Sequence, residues 1–294
     1  MFRRILIGLK RAEGGRDAIA LGRLLAEASG ASMVVATVSA RAGRAEAEEL
    51  AGYVRTQMGG LGAEARWVRA SSPAAGLGDL ARSWGADLIV LGPSHRAAAG
   101  GSFFGGTAER LLHRAGCAVA VAPRGLQPAD SGERQPLDEE SVDRGLRLIG
   151  VGFDGSLGAE EALRAASELA VRNQAALRVF TVAPPGPGGE SAEFGNPAWN
   201  PGVELRETLH RAVSELPAET RAEPILLRGS SVAQLAEEAQ KGIDLLVMGS
   251  HAFGPLGRTL YGSVVSELLP RAPCPLLIFP RPLSSAAEEP AVRE

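Results

Sequence analysis

The feature that most limits how this chain can fold is that it is written twice. Slid by 157 positions, residues 85–123 lie on 242–280 without a gap, and 13 of those 39 positions are identical. Slid by 144, residues 7–38 lie on 151–182 with 9 of 32 identical. A period this long belongs to a duplicated domain, since solenoid repeats recur at about 20–50 residues. The copies span 1–124 and 146–282. Residues 125–145 are rich in Pro, Gly, Ser, Asp and Glu and read as a solvated linker, and 283–294 as a loose tail.

Within the second copy, apolar runs alternate with helical periodicity. The runs predict strands at 147–153, 177–182, around 225–227, at 244–248 and at 276–279. Helices are predicted over 160–172, 203–216, 232–240 and 263–269; the first carries Ala162, Leu163, Ala166, Leu169 and Ala170 at helical spacing. The first copy follows the same order. Alternation with continuously apolar strands predicts an α/β fold of two tandem Rossmann-like domains, each a five-stranded parallel sheet with helices on both faces. Crossovers should be right-handed. Such sheets take ligands beyond the carboxyl ends of their strands. Asp154 and Gly249 both fall on that edge.

Composition narrows the function classes. Hydrophobic residues make 45% of the chain, charged residues 22%, and the net charge is −3. That is a globular balance with no basic surface for nucleic acid. No run approaches the ~18 apolar residues of a membrane span, and the apolar start before Lys10 is too short for a signal-peptide core. Cys117 and Cys274 are too few for a disulfide framework and read as small buried residues. A cytoplasmic protein is expected. His95, His113, His210 and His251 show no metal-ligand spacing, so no metal site is expected. No base and nucleophile are paired, so no catalytic residue and no enzyme are expected. Asp87 and Asp244, preceding equivalent strands, read as residues that cap or turn the chain.

Two glycine patterns remain. Gly150-x-Gly152-x-x-Gly155 matches the dinucleotide fingerprint in letters only. That fingerprint belongs at a turn into a helix, whereas Gly150 and Gly152 lie inside a strand pattern. No Walker A run exists. The second pattern is Gly249-Ser250-His251-Ala252, nine residues, then Gly262-Ser263. Glycine permits close backbone approach, and Ser263 opens a helix whose free N–H groups suit a phosphate. Ser263 would serve equally as a plain helix cap. The residues alone leave both readings open.

At this point the chain resembles the universal stress protein family, in a tandem two-domain form. The resemblance is carried by Phe153-Asp154-Gly155-Ser156, Gly242-Ile-Asp-Leu-Leu-Val-Met-Gly-Ser-His251, Gly262-Ser263-Val264 and Ala272-Pro-Cys-Pro-Leu-Leu-Ile278. Nucleotide-binding members carry Gly-x2-Gly-x9-Gly-Ser/Thr in this loop and bind ATP. The resemblance therefore implies an ATP-binding stress-response regulator whose nucleotide state sets the binding of a protein partner. Asp154 would hold the adenosine end and Val182 would line the adenine pocket. Gly249, Gly262 and Ser263 would cradle phosphates, with backbone donors from Ser250, His251 and Val264. Gly155, Ser156, Met248, Ala252 and Val265 complete the implied site, and Mg would enter only through the phosphates. The resemblance also implies an intramolecular pseudo-dimer through the last strands, 118–122 and 276–279. Whether whole chains dimerise stays open.

Departures from the pattern shape the alternatives. Ala252 stands where the family has its second glycine; if that position needs positive φ, alanine costs on the order of 1 kcal/mol, and if it needs only close approach, the methyl is tolerated. In the first copy Lys10 replaces Asp154, and the loop reads Gly92-Pro-Ser-His95, nine residues, Gly105-Gly106-Thr107. An ammonium only donates hydrogen bonds and cannot fill an aspartate's accepting role. The first copy is expected not to bind ATP in the family manner. An interaction module without nucleotide is the competing reading, and a weak ATPase the third. The stretch 183–201, with Phe194 and Trp199, reads as a lid over the ligand edge or as a spacer.

Overall fold

Strands and helices alternate through both copies of this computed structural model, which describes residues 1–10, 15–40, 44–58, 62–93, 106–126, 145–184, 201–250 and 263–280. The first half runs β1 (Arg4–Leu9), α1 (Arg16–Ser29), β2 (Ser32–Ser39), α2 (Arg44–Gln57), β3 (Glu64–Arg69), α3 (Pro73–Trp84), β4 (Leu88–Leu91), α4 (Thr107–Arg114), β5 (Ala118–Val121). The second runs β6 (Leu148–Gly152), α5 (Leu157–Asn173), β7 (Ala176–Ala183), α6 (Pro201–Ser214), β8 (Arg221–Arg228), α7 (Ser231–Ala239), β9 (Leu245–Gly249), α8 (Ser263–Leu268), β10 (Leu276–Phe279). Leu276–Phe279 is the strand the apolar run predicts. β8 is longer than expected, because Glu223 and Pro224 interrupt its apolar pattern. It lies at the sheet's edge, where one side of the strand needs no ladder and proline is tolerated.

Each half forms a parallel five-stranded sheet, and the two join edge to edge in the order β3-β2-β1-β4-β5-β10-β9-β6-β7-β8. The joint is the one antiparallel pairing among the described residues, with Val121 opposite Leu276, Ala120 opposite Leu277 and Val119 opposite Ile278. β5 and β10 are buried along their whole length, so pairing them removes two apolar edges from water.

Two apolar layers cover the faces, and each runs through both halves. One packs Ile19 and Leu25 of α1, Leu50 of α2, Leu163 of α5 and Leu209 of α6 against the sheet. The other packs Leu77 of α3, Leu111 of α4, Leu235 of α7 and Leu268 of α8. Around the joint, the Phe2 and Phe279 rings stack at 6.2 Å and Asn173 Nδ2 donates to Ala28 O at 3.3 Å.

Asp87 and Asp244 do more than turn the chain. Asp244 Oδ2 accepts from the N–H groups of Arg147 and Leu148, both at 2.8 Å. Asp87 accepts likewise from Arg3 at 2.8 Å and Arg4 at 3.2 Å. Each aspartate thus ties the start of its half's first strand to the start of its fourth.

Candidate functional site

The carboxyl edge of the second half is assembled from three chain ends. Asp154 and Gly155 are exposed where the chain leaves β6. Asp154 Oδ1 accepts from Ser156 N–H at 3.0 Å, closing a local Asx turn. Gly155 has φ +77°, in the left-handed region, and an added Cβ would touch Thr208 Cγ2 of α6 at 3.5 Å. Ser156 then caps α5, its Oγ accepting from Ala159 N–H at 3.3 Å. The carboxylate, the turn glycine and the cap form one rigid corner.

Gly249 ends β9 directly beneath that corner. A Cβ on it would lie 2.5 Å from Gly158 C and 2.6 Å from Ala159 N, inside the backbone of the first turn of α5. Gly158 reciprocates, with its own ideal Cβ 3.6 Å from Gly249 Cα. Close approach, rather than left-handed backbone, is the reason for glycine at 249. This contact brings the Asp154 corner and the Gly249-Ser250 end onto one edge. Ser250 N–H donates to Phe279 O at 2.8 Å, so it continues the β9–β10 ladder. On the other side, Thr181 Oγ1 donates to Phe153 O at 2.9 Å and pins β7 to the strand end that carries Asp154.

The residues singled out in the sequence therefore divide. Asp154, Gly155, Ser156, Gly249 and Ser250 are brought together at the edge, with Val182 half-buried near the end of β7. Met248 and Val265 are buried in the second apolar layer, where their side chains serve as floor. Val264 is half-buried on α8. His251, Ala252 and Gly262 lie outside the described residues, as do Phe194, Trp199, His95 and Gly105, and of Ser263 only its place in α8 is described. Gly158 and Thr208 were missed. Gly158 had a signal, since it matches Gly14 in the duplication; Thr208, distant in sequence, had none.

Lys10, at the equivalent corner of the first half, is exposed. Gly92 is less confined than Gly249, its ideal Cβ 3.7 Å from Ala18 Cβ. Gly106 N–H donates to Glu109 Oε2 at 3.1 Å at the start of α4. A cavity of about 610 Å³ lies between the halves, lined by Phe2, Asp87, Cys117, Arg164, Leu169 and Phe279, and none of the carboxyl-edge residues described above lines it. Cys117 and Cys274 are free and buried, and burial pushes both thiols up to about 12. No group of three metal-ligating side chains occurs among the described residues. No helix among them is long and apolar enough to cross a membrane.

The family model described as "Universal stress protein family" matches residues 1–123 and 145–280. The chain belongs to the universal stress protein family. This universal stress protein is 28% identical over 250 residues to one from Mycobacterium tuberculosis, covering 80% of this chain and 78% of that one. It is 28% identical over 134 residues to one from Thermus aquaticus, covering 45% of this chain and 98% of that one. Among solved structures, one of a protein of unknown function from Pseudomonas aeruginosa superposes with a TM-score of 0.67, at 17% identity over 95% of this chain and 92% of that one. One of a universal stress protein from Archaeoglobus fulgidus superposes at 0.62, with 15% identity over 95% and 96% of the two chains. At these identities the structural likeness establishes the fold of this universal stress protein.

Proposed function

We propose that this universal stress protein binds ATP in its second half and acts as a stress-response regulator, its nucleotide state setting the binding of a protein partner. The observation that carries the reading is the Gly249–Gly158 contact, which sets the exposed carboxylate of Asp154 on the same edge as the start of the glycine loop. A carboxylate accepts from ribose hydroxyls, and a glycine-rich loop leading to a helix start offers N–H donors to phosphates. Asp154, Gly155, Ser156 and Val182 would hold the nucleoside end, and Gly249, Ser250, His251, Ala252, Gly262, Ser263 and Val264 the phosphates. Mg would ride on the phosphates. The first half, with Lys10 in place of the carboxylate, takes no ATP in this manner, so one nucleotide binds per chain. The reading is of a cytoplasmic binding protein rather than an enzyme.

Equilibrium ATP binding tests it. One site per chain is expected, weakened at least about tenfold, roughly 1.4 kcal/mol, by Asp154→Ala and by Gly262→Val. Unchanged affinity in both variants would sink the site. Absence of ATP binding at millimolar concentration by the folded protein would favour the interaction module without nucleotide.

A further inference from the structure

Buried polar side-chain atoms almost always have partners, because an orphan costs about 1–3 kcal/mol. Among the described residues four such atoms have no hydrogen-bond partner: Thr37 Oγ1, Tyr53 Oη, Trp67 Nε1 and Ser266 Oγ. The first three belong to one face of the first half's sheet. Thr37 extends the row Met33, Val35 along β2, Trp67 extends Ala65 along β3, and the two are register partners. Tyr53 packs onto the same layer from α2. Burial pushes the Tyr53 hydroxyl up and Arg16 pulls it back, so the guanidinium at the start of α1 lies within electrostatic reach of that oxygen.

The matching edge of the second half has the opposite chemistry. Thr181, the counterpart of Thr37, is satisfied by Phe153 O, and its register partner on β8 is Leu226. Lys10 and Arg16, both exposed, match Asp154 and Glu160. Neither cation forms an ion pair among the described residues. Two charge reversals and three orphaned polar atoms therefore coincide on one edge and face of the first half alone.

We infer that the first half carries a ligand site of its own, for a small molecule bearing a phosphate or carboxylate oxyanion, at the carboxyl edge of β1, β2 and β3. Trp67 Nε1, the Lys10 ammonium and the Arg16 guanidinium only donate, and the Thr37 and Tyr53 hydroxyls are free to donate. A set so rich in donors is satisfied by an acceptor-rich anion and repels a cation. Out of bulk water such hydrogen bonds strengthen, and leaving them unmade is costly. The site is separate from the proposed nucleotide corner and does not rest on it.

The test uses the full-length protein labelled with 15N, in which the Trp67 indole N–H resonance is assigned by Trp67→Phe. Sodium phosphate and sodium succinate are titrated separately at constant ionic strength. The Trp67 signal should move saturably with at least one of them while that of Trp84 stays in place. Phosphate alone identifies a phosphate ligand, succinate alone a carboxylate, and both the shared oxyanion chemistry. The surface variant Lys10→Gln/Arg16→Gln should weaken the response at least about tenfold. Thr37→Val, which keeps the shape and removes one hydroxyl, should weaken it too, and Asp154→Ala should leave it unchanged. A Trp67 resonance unmoved by either anion to about 10 mM, where a millimolar site is nearly filled, overturns the inference. A response that persists undiminished in the Lys10/Arg16 variant overturns it as well.

Discussion

A methyl group at residue 249 would have to share space with the backbone of α5, 2.5 Å from Gly158 C. Backbone cannot swing aside as a side chain can, so Gly249→Ala should destabilise by about 1–3 kcal/mol. Gly92→Ala, at the equivalent place, meets Ala18 Cβ at 3.7 Å and Ala18 N at 4.0 Å, both ordinary contact distances, and should stay within roughly 0.5 kcal/mol. Urea unfolding of the two variants checks the contrast, and equal costs would refute it. The buried thiols give a second prediction. Their pKa rises from 9.0 to about 12 on folding, so they stay protonated where unfolded thiols ionise. The stability they contribute is complete below pH 9 and declines between 9 and about 12, at about 1.4 kcal/mol per pH unit for each thiol. Unfolding free energy measured against pH should fall less steeply in Cys117→Ala/Cys274→Ala than in the parent.

Elements take their definition from ends as much as from interiors. Ser156 caps α5 through Ala159 N–H, and Ser156→Ala should cost about 1 kcal/mol in thermal or urea unfolding. Asp244 accepts two N–H groups from the start of β6, so Asp244→Ala should cost more, about 2 kcal/mol. The sequence shows the pure strands and the amphipathic helices plainly. Leu276–Phe279 is continuously apolar because both faces of β10 are covered, and α5 shows its buried stripe at helical spacing. It hides β8, since Glu223 and Pro224 conform only to an edge, and no local pattern states which strand will lie at the edge. At the site, Gly249 was visible because duplication and resemblance both mark it, and Asp154 because it ends an apolar strand run and belongs to the resemblance. The reason for Gly249 was not, because its constraint comes from a residue about ninety positions earlier.

The molecule as a whole is organised around the β5–β10 joint and the helices α1 and α5 beside it. Apolar layers that cross the joint make each half complete only with the other. Residues 1–126 produced alone should therefore associate into dimers through β5, as an exposed apolar edge strand demands. Light scattering on that fragment checks this, and a folded monomer would contradict it. Amide exchange should be slowest at Val119, Ala120, Leu277 and Ile278, in the middle of the ten-stranded sheet.

By itself the sequence determined the duplication, the α/β class, the alternation of strands and helices, and the family, because periodicity and repeated motifs are properties of neighbouring residues. Only the tertiary structure decided that Gly158 and Gly249 must touch, that Asp87 and Asp244 clamp strand starts, and that Thr37, Tyr53 and Trp67 share a face with unsatisfied polar atoms. Those facts depend on which distant segments the sheet order brings side by side. Burial, register and hydrogen-bond satisfaction exist only once that order is set.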